Sequence, residues 1–168
     1  MKQKKYCYFC GTELEERFTE GRIRKYCVRC AGPLYENPVP ATCIIVADKN
    51  GKILLVKRSV EPKEGFWCLP GGFMELDETP EQGALRELKE ETGLSGKIHL
   101  LLGVRTNPSP MYGTVYMTGY FIRQYSGKPV AGDDASDVRW FNIDELPEVA
   151  FESHRHFIDI YHSSNIKN

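Results

Sequence analysis

The apolar positions of this chain fall into short runs separated by turn-forming residues, and those runs set the expected elements. Residues 42–47 (TCIIVA) and 53–58 (ILLVKR) are strand-length apolar segments on either side of Asp48-Lys49-Asn50-Gly51, whose Asn-Gly pair suits a hairpin turn. The second run is apolar at both parities, the pattern of a strand buried on both faces. Residues 98–104 predict a strand and 105–113 (RTNPSPMYG) a loop. Residues 114–125 predict a long aromatic-rich strand interrupted at Gly119, where a bulge fits, and 137–141 a short strand. Two stretches have helical period instead. Between Thr79 and Gly93, Ala84, Leu85 and Leu88 share one side, and residues 153–162 read as a terminal helix. Thr79, Pro80 and Gln82 form a helix start with a capping box and a first-turn proline, and Gly93 is the natural stop. Strands around one central helix, with another helix at the end, make a mixed α/β domain. The proline-marked stretch 34–40 (LYENPVP) connects it to what precedes, which divides the chain into residues 1–36 and 37–168, with the first strand of the second part starting near Ala41.

The other side of the central helix carries the chemistry. Glu87, Glu90 and Glu91 gather there, although Glu87 and Glu91 repel at i,i+4 and lie near the helix end whose dipole prefers cations. A solvated helix face, helped by Arg86 and Lys89, is one reading. The other is a cation site, since converging carboxylates are the ligands that Mg2+ or Mn2+ prefer, and a cation so held binds phosphate oxygens and activates water. Just before the helix, Pro70-Gly71-Gly72 lets the backbone approach a ligand closely, so that a carbonyl of Gly71 or Gly72 could join the metal's ligands.

The spacing decides between these readings. Gly72, five residues, Glu78, seven residues, then Arg86-Glu87-Leu88-Lys89-Glu90-Glu91-Thr92-Gly93-Leu94 meets every fixed position of the Nudix hydrolase signature, and residues 38–168 resemble that family. The resemblance implies an α/β/α sandwich with a mixed sheet. It implies metal ligation by Glu87, Glu90, Glu91 and the Gly72 carbonyl, with Arg86 and Glu78 orienting the carboxylates and the helix. The implied reaction is Mg2+- or Mn2+-assisted attack of water on the pyrophosphate of a nucleoside diphosphate linked to another moiety. The acid that deprotonates the water varies within the family; here the candidates outside the signature are Asp133, Asp134 and Asp137, of which Asp134 is favoured. Phe66, Phe73, Tyr112 and Tyr116 offer aromatic faces for a base or flavin, or else pack. Related enzymes are often homodimers.

Four cysteines, Cys7-x2-Cys10 and Cys27-x2-Cys30, have the spacing of a four-cysteine zinc ribbon. Disulfides are the alternative, but the first residues carry no signal-peptide run, so a cytoplasmic chain with reduced thiols and structural Zn2+ is expected. Cys43 and Cys68 lack paired spacing and read as inert. So small a segment needs the metal to fold. A ribbon joined to such a domain resembles the NADH pyrophosphatase group and related members acting on FAD or ADP-ribose. The NADH-type SQPWPFP element is replaced here by RTNPSPMYG, which weighs against NADH.

Composition adjusts this picture only slightly. The chain is 41% hydrophobic and 27% charged with a formal net charge of −1, as a water-soluble globular protein would be, and no stretch approaches a membrane span. Residues 1–33 hold eight Lys or Arg against four Asp or Glu, Lys2 among them, but four thiolates on one Zn2+ would cancel about half of that excess. A small-molecule nucleotide is therefore the expected partner, ahead of nucleic acid. Two other classes remain open: a ribbon that binds nucleic acid, including an enzyme acting on RNA caps, and a nucleotide sensor without catalysis. The histidines, His154 and His156 among them, show no ligand spacing.

Overall fold

The computed structural model describes residues 4–164, and Lys2 lies outside them. The chain divides into two compact units. One is the chain up to Pro38 together with Pro108–Thr114; the other is Val39–Asn107 with the chain from Val115 onward.

In the first unit, β1 (Glu15–Thr19), β2 (Arg22–Cys27) and β3 (Gly32–Leu34) form an antiparallel ribbon in the order β1-β2-β3. Its buried cluster is Cys7, Cys27 and Leu34, with Cys10 and Leu14 packed against it. A core of that size cannot hold a fold by area burial alone.

The second unit is built on two three-stranded sheets. β4 (Val39–Val46) runs parallel to β8 (Gly113–Ser126), which neighbours β7 (Ser95–Ser109), while β5 (Ile53–Arg58) pairs antiparallel with β6 (Trp67–Cys68) and β9 (Ala135–Phe141). The period of two explains the layering. Cys43, Ile45, Ile53, Leu55 and Phe121 meet Phe157, Ile158 and Tyr161 of α2 (Glu152–Ser163). Their neighbours Ile44, Val46, Leu54, Tyr120 and Ile122 meet Ala84 and Leu88 of α1 (Pro80–Thr92). The result is the mixed-sheet α/β/α sandwich.

Four local expectations change. The turn at Asp48–Gly51 forms, with Asp48 Oδ1 accepting from the amides of Asn50 and Lys52. The two strands it joins share a bridge at Ala47 and Ile53, yet belong to different sheets. β4 starts at Val39, inside the proline-marked stretch, because its parallel ladder with β8 begins at Val39↔Val115. β7 runs on to Ser109 and absorbs most of the expected 105–113 loop. Gly119 makes no bulge: it pairs in register with Cys43, and a Cβ there would lie 2.6 Å from the Phe157 ring, so the glycine lets α2 approach the sheet.

Candidate active site

The site is assembled on α1. Thr79 Oγ1 accepts from the Gln82 amide and Gln82 Oε1 accepts from the Thr79 amide at 2.7 Å, closing the capping box that starts the helix. Gly93 ends it at φ +70, and Lys89 Nζ donates to the Gly93 carbonyl at 2.8 Å, which places a cation at the negative end of the helix dipole.

Arg86 resolves the carboxylate repulsion. Its guanidinium forks onto Glu78 (Nε to Oε2, 3.0 Å; Nη2 to Oε1, 2.8 Å). Nη1 lies 2.8 Å from Glu87 Oε1 and 2.9 Å from Glu90 Oε2, and Nη2 donates to the Phe73 carbonyl at 3.0 Å. One cation therefore ties three carboxylates to the glycine-rich segment ahead of the helix. The Arg86 bond holds Glu78 below the usual carboxylate range. Burial pushes Glu87 up, partly opposed by Arg86. Glu91, buried at 5% exposure, is pushed up to about 8 chiefly by burial, against the pull of the Gly71 amide that donates to its Oε2 at 2.9 Å.

Residues 69–72 pass directly against these side chains. The Leu69 amide donates to His154 Nδ1 (3.1 Å), the Ile44 amide to the Pro70 carbonyl (2.9 Å) and the Thr42 amide to the Gly72 carbonyl (2.8 Å). Gly71 has φ +145 and its Cα is so close to β4 that a Cβ would lie 2.2 Å from the Thr42 carbonyl oxygen. At Gly72 a Cβ would instead lie 2.5 Å from Glu87 Oε1, so the carboxylate rests on the bare glycine backbone.

A second loop closes on the end of α1. The Val130 amide donates to the Thr92 carbonyl (2.9 Å) and the Gly132 amide to the Glu91 carbonyl (3.1 Å). Asp133, at φ +49, adds its charge to the field at Glu87, and Asp134 does so at Glu91. The Asp134 carbonyl accepts from the Ser59 amide at 2.8 Å. Asp137 is engaged elsewhere, by Arg139 and by its neighbour's amide. Arg58 also reaches this region: it lowers Glu91's affinity for a proton while donating to the carbonyls of Pro62 (2.7 Å) and Val60. Neither the proximity of Arg58 to Glu91 nor that of Asp133 to Glu87 has a signal in the local sequence; both come from loops folding back.

The aromatic candidates are distributed. Tyr116 pairs with Pro40 and Phe73 bridges Ala41, so these two flank the start of β4. The Phe66 carbonyl accepts from the Arg58 amide, and Lys63 Nζ lies 5.1 Å from its ring. Tyr112 lies in the turn between β7 and β8, within the first unit.

In that unit, one Sγ from each of Cys7, Cys10, Cys27 and Cys30 lies within 4.8 Å of the others. The Cys10–Cys27 separation is 3.5 Å and Cys7–Cys30 is 3.9 Å. Bonds of about 2.3 Å to a tetrahedral ion give a sulfur–sulfur edge of about 3.8 Å, so the donor set fits Zn2+ and is too open for disulfides.

The chemistry this geometry can support is specific: carboxylates gathered on one side of a helix and aligned by an arginine suit a divalent cation and a phosphate chain. A NUDIX domain family model matches residues 37–160. An ADP-ribose pyrophosphatase of Methanocaldococcus jannaschii is 42% identical over 120 residues, covering 71% of this chain and 70% of that protein. A NAD-capped RNA hydrolase of Pectobacterium carotovorum is 31% identical over 147 residues, covering 86% of this chain and 54% of that protein, so the chain spans about half its length. The crystal structure of a NUDIX hydrolase from Nitrosomonas europaea superposes with a TM-score of 0.75 at 31% identity, covering 96% of this chain and 94% of that one. Among the described residues no helix is long and apolar enough to cross a membrane.

Proposed function

The chain belongs to the NUDIX domain family and is a Nudix hydrolase, and from that premise we propose that it cleaves the pyrophosphate of ADP-ribose or a close relative such as FAD, with residues 1–36 as a zinc ribbon and 37–168 as the hydrolase domain. The observation that supports this reading most is the Arg86 fork onto Glu78, Glu87 and Glu90 beside a buried Glu91 that accepts from Gly71.

Glu87, Glu90 and Glu91, with the second lone pair of the Gly72 carbonyl, would hold Mg2+ or Mn2+. When bound, the cation neutralises the diphosphate and makes phosphorus more electrophilic. Arg86 and Glu78 keep the carboxylates aligned before substrate arrives. Asp134, whose charge acts on Glu91, takes the proton from the attacking water. One P–O bond forms to water and the bridging P–O bond breaks, so ADP-ribose gives AMP and ribose 5-phosphate. Within the second unit, Phe66, Phe73 and Tyr116 are the aromatic surfaces offered to the nucleotide. In the first unit, Cys7, Cys10, Cys27 and Cys30 would hold Zn2+, which favours a reducing compartment such as the cytoplasm.

A turnover panel tests the reading: ADP-ribose, FAD, NADH, NAD-capped RNA and nucleoside triphosphates, each with Mg2+ or Mn2+, with products identified by mass. Release of AMP from ADP-ribose or FAD ahead of the others is the expected result. Preferred turnover of capped RNA would replace the substrate class, and silence across the panel from folded, metal-loaded protein would overturn the hydrolytic reading.

A further inference from the structure

His154 stands outside the signature and 85 residues from its partner in the chain, yet it holds the glycine loop from the opposite helical layer. The imidazole is buried at 2% exposure on α2, and its Nδ1 accepts from the Leu69 amide at 3.1 Å. An accepting Nδ1 puts the proton on Nε2, and Nε2 is itself buried without a hydrogen-bond partner among the described residues. What the ring does provide is a rigid acceptor aimed at one backbone N–H. The residues just ahead of α2 reach β6, immediately before Leu69, since the Ala150 amide donates to the Trp67 carbonyl at 2.8 Å and Val149 bridges Trp67.

The consequence of that anchor lies two and three residues downstream of Leu69. Gly71 donates to Glu91, and Gly72 supplies the bare backbone on which the Glu87 carboxylate rests. On the other side the loop is tied to β4 through Thr42 and Ile44. We propose that His154 is a positioning residue of the hydrolytic site, setting the Leu69–Gly72 backbone so that Glu87 and Glu91 meet the cation. The inference rests on the reading of those glutamates as metal ligands.

The test is Mn2+ affinity, read by electron paramagnetic resonance without substrate, in the wild type and in His154→Leu, His154→Asn and Glu91→Gln. Asparagine carries an acceptor at the Nδ1 position and leucine a methyl group. His154→Leu should weaken Mn2+ binding by about 10- to 100-fold, as loss of a supporting group around a metal does, and His154→Asn should restore most of it. Wild-type affinity in His154→Leu, or an equal loss in both variants, overturns the inference. Unchanged affinity in Glu91→Gln overturns the underlying site reading instead, so the two failures are distinguishable. Should His154→Leu not fold, the wild type decides, because coupling between two sites is reciprocal. Saturating Mg2+ should then slow hydrogen exchange at the Leu69 amide, and unchanged exchange there would refute the role.

Discussion

The adjacent glycines Gly71 and Gly72 should fail in different ways when each is replaced by alanine. At Gly71 the added Cβ meets fixed backbone, 2.2 Å from the Thr42 carbonyl oxygen and 2.6 Å from the Cys43 Cα, at φ +145. The backbone conformation costs about 1–3 kcal/mol for a residue with a side chain, and overpacking against the strand about as much again. A midpoint of about 4 kcal/mol lowers Tm by about 8–16 °C in a chain of this length. At Gly72 the Cβ meets the Glu87 carboxylate, 2.5 Å from Oε1, which a side-chain rotation relieves. The stability loss is then that of a partly exposed Arg86–Glu87 pair, about 0.5–1 kcal/mol or about 1–4 °C. The functional loss is larger, because a displaced Glu87 should weaken Mn2+ binding and turnover by at least about 10-fold. Thermal unfolding by circular dichroism and Mn2+ titration on both variants separate the cases. Equal Tm losses, or full Mn2+ affinity in Gly72→Ala, would refute the close approaches on which the reasoning depends.

Other consequences are equally direct. Glu91→Gln keeps an acceptor for the Gly71 amide but cannot serve as an anionic ligand, so turnover should vanish while the unfolding transition persists; full activity would remove Glu91 from the site. Burial pulls His154 down to about 3, below its usual range, so the native protein excludes a proton that the unfolded chain binds below about pH 6.5. That contribution is complete above pH 6.5 and is lost as pH falls toward 3. The stability difference between wild type and His154→Asn should therefore shift against the wild type by about 1.4 kcal/mol per unit over that window in denaturant titrations; a constant difference would contradict it. Metal analysis should find one zinc per chain in the wild type and none after Cys27→Ser, with exchange protection lost across β1–β3 because that unit's core is mostly cysteine; retained protection without zinc would contradict this.

What was legible in the sequence was local. The caps of α1 are determined by residues three or four apart, and the carboxylate side of the helix follows from its period, so both could be read directly. The cysteine pairs announce themselves by spacing in the same way. What escaped depends on which strand lies next to which. Gly119 is a gap for Phe157 rather than a bulge, and that is known only once α2 is laid on the sheet. Residues 105–109 have loop-like composition yet extend β7, since β8 beside them supplies the pairing that propensity does not. Arg86 was recognisable as a charge partner, but its bond to the Phe73 carbonyl depends on the loop returning to the helix. His154 looked like one of four unremarkable histidines because its partner is a backbone amide 85 residues away.

The central claim is attack of water on the diphosphate of an ADP-ribose-like substrate at the α1 carboxylates. It is tested most directly by hydrolysing ADP-ribose in 18O-labelled water with Mg2+ and weighing the products by mass spectrometry. The account predicts AMP and ribose 5-phosphate with one 18O on a single phosphate, and no product when Mg2+ is chelated. Release of ADP and free ribose, label outside the phosphates, or unchanged turnover after chelation would contradict it.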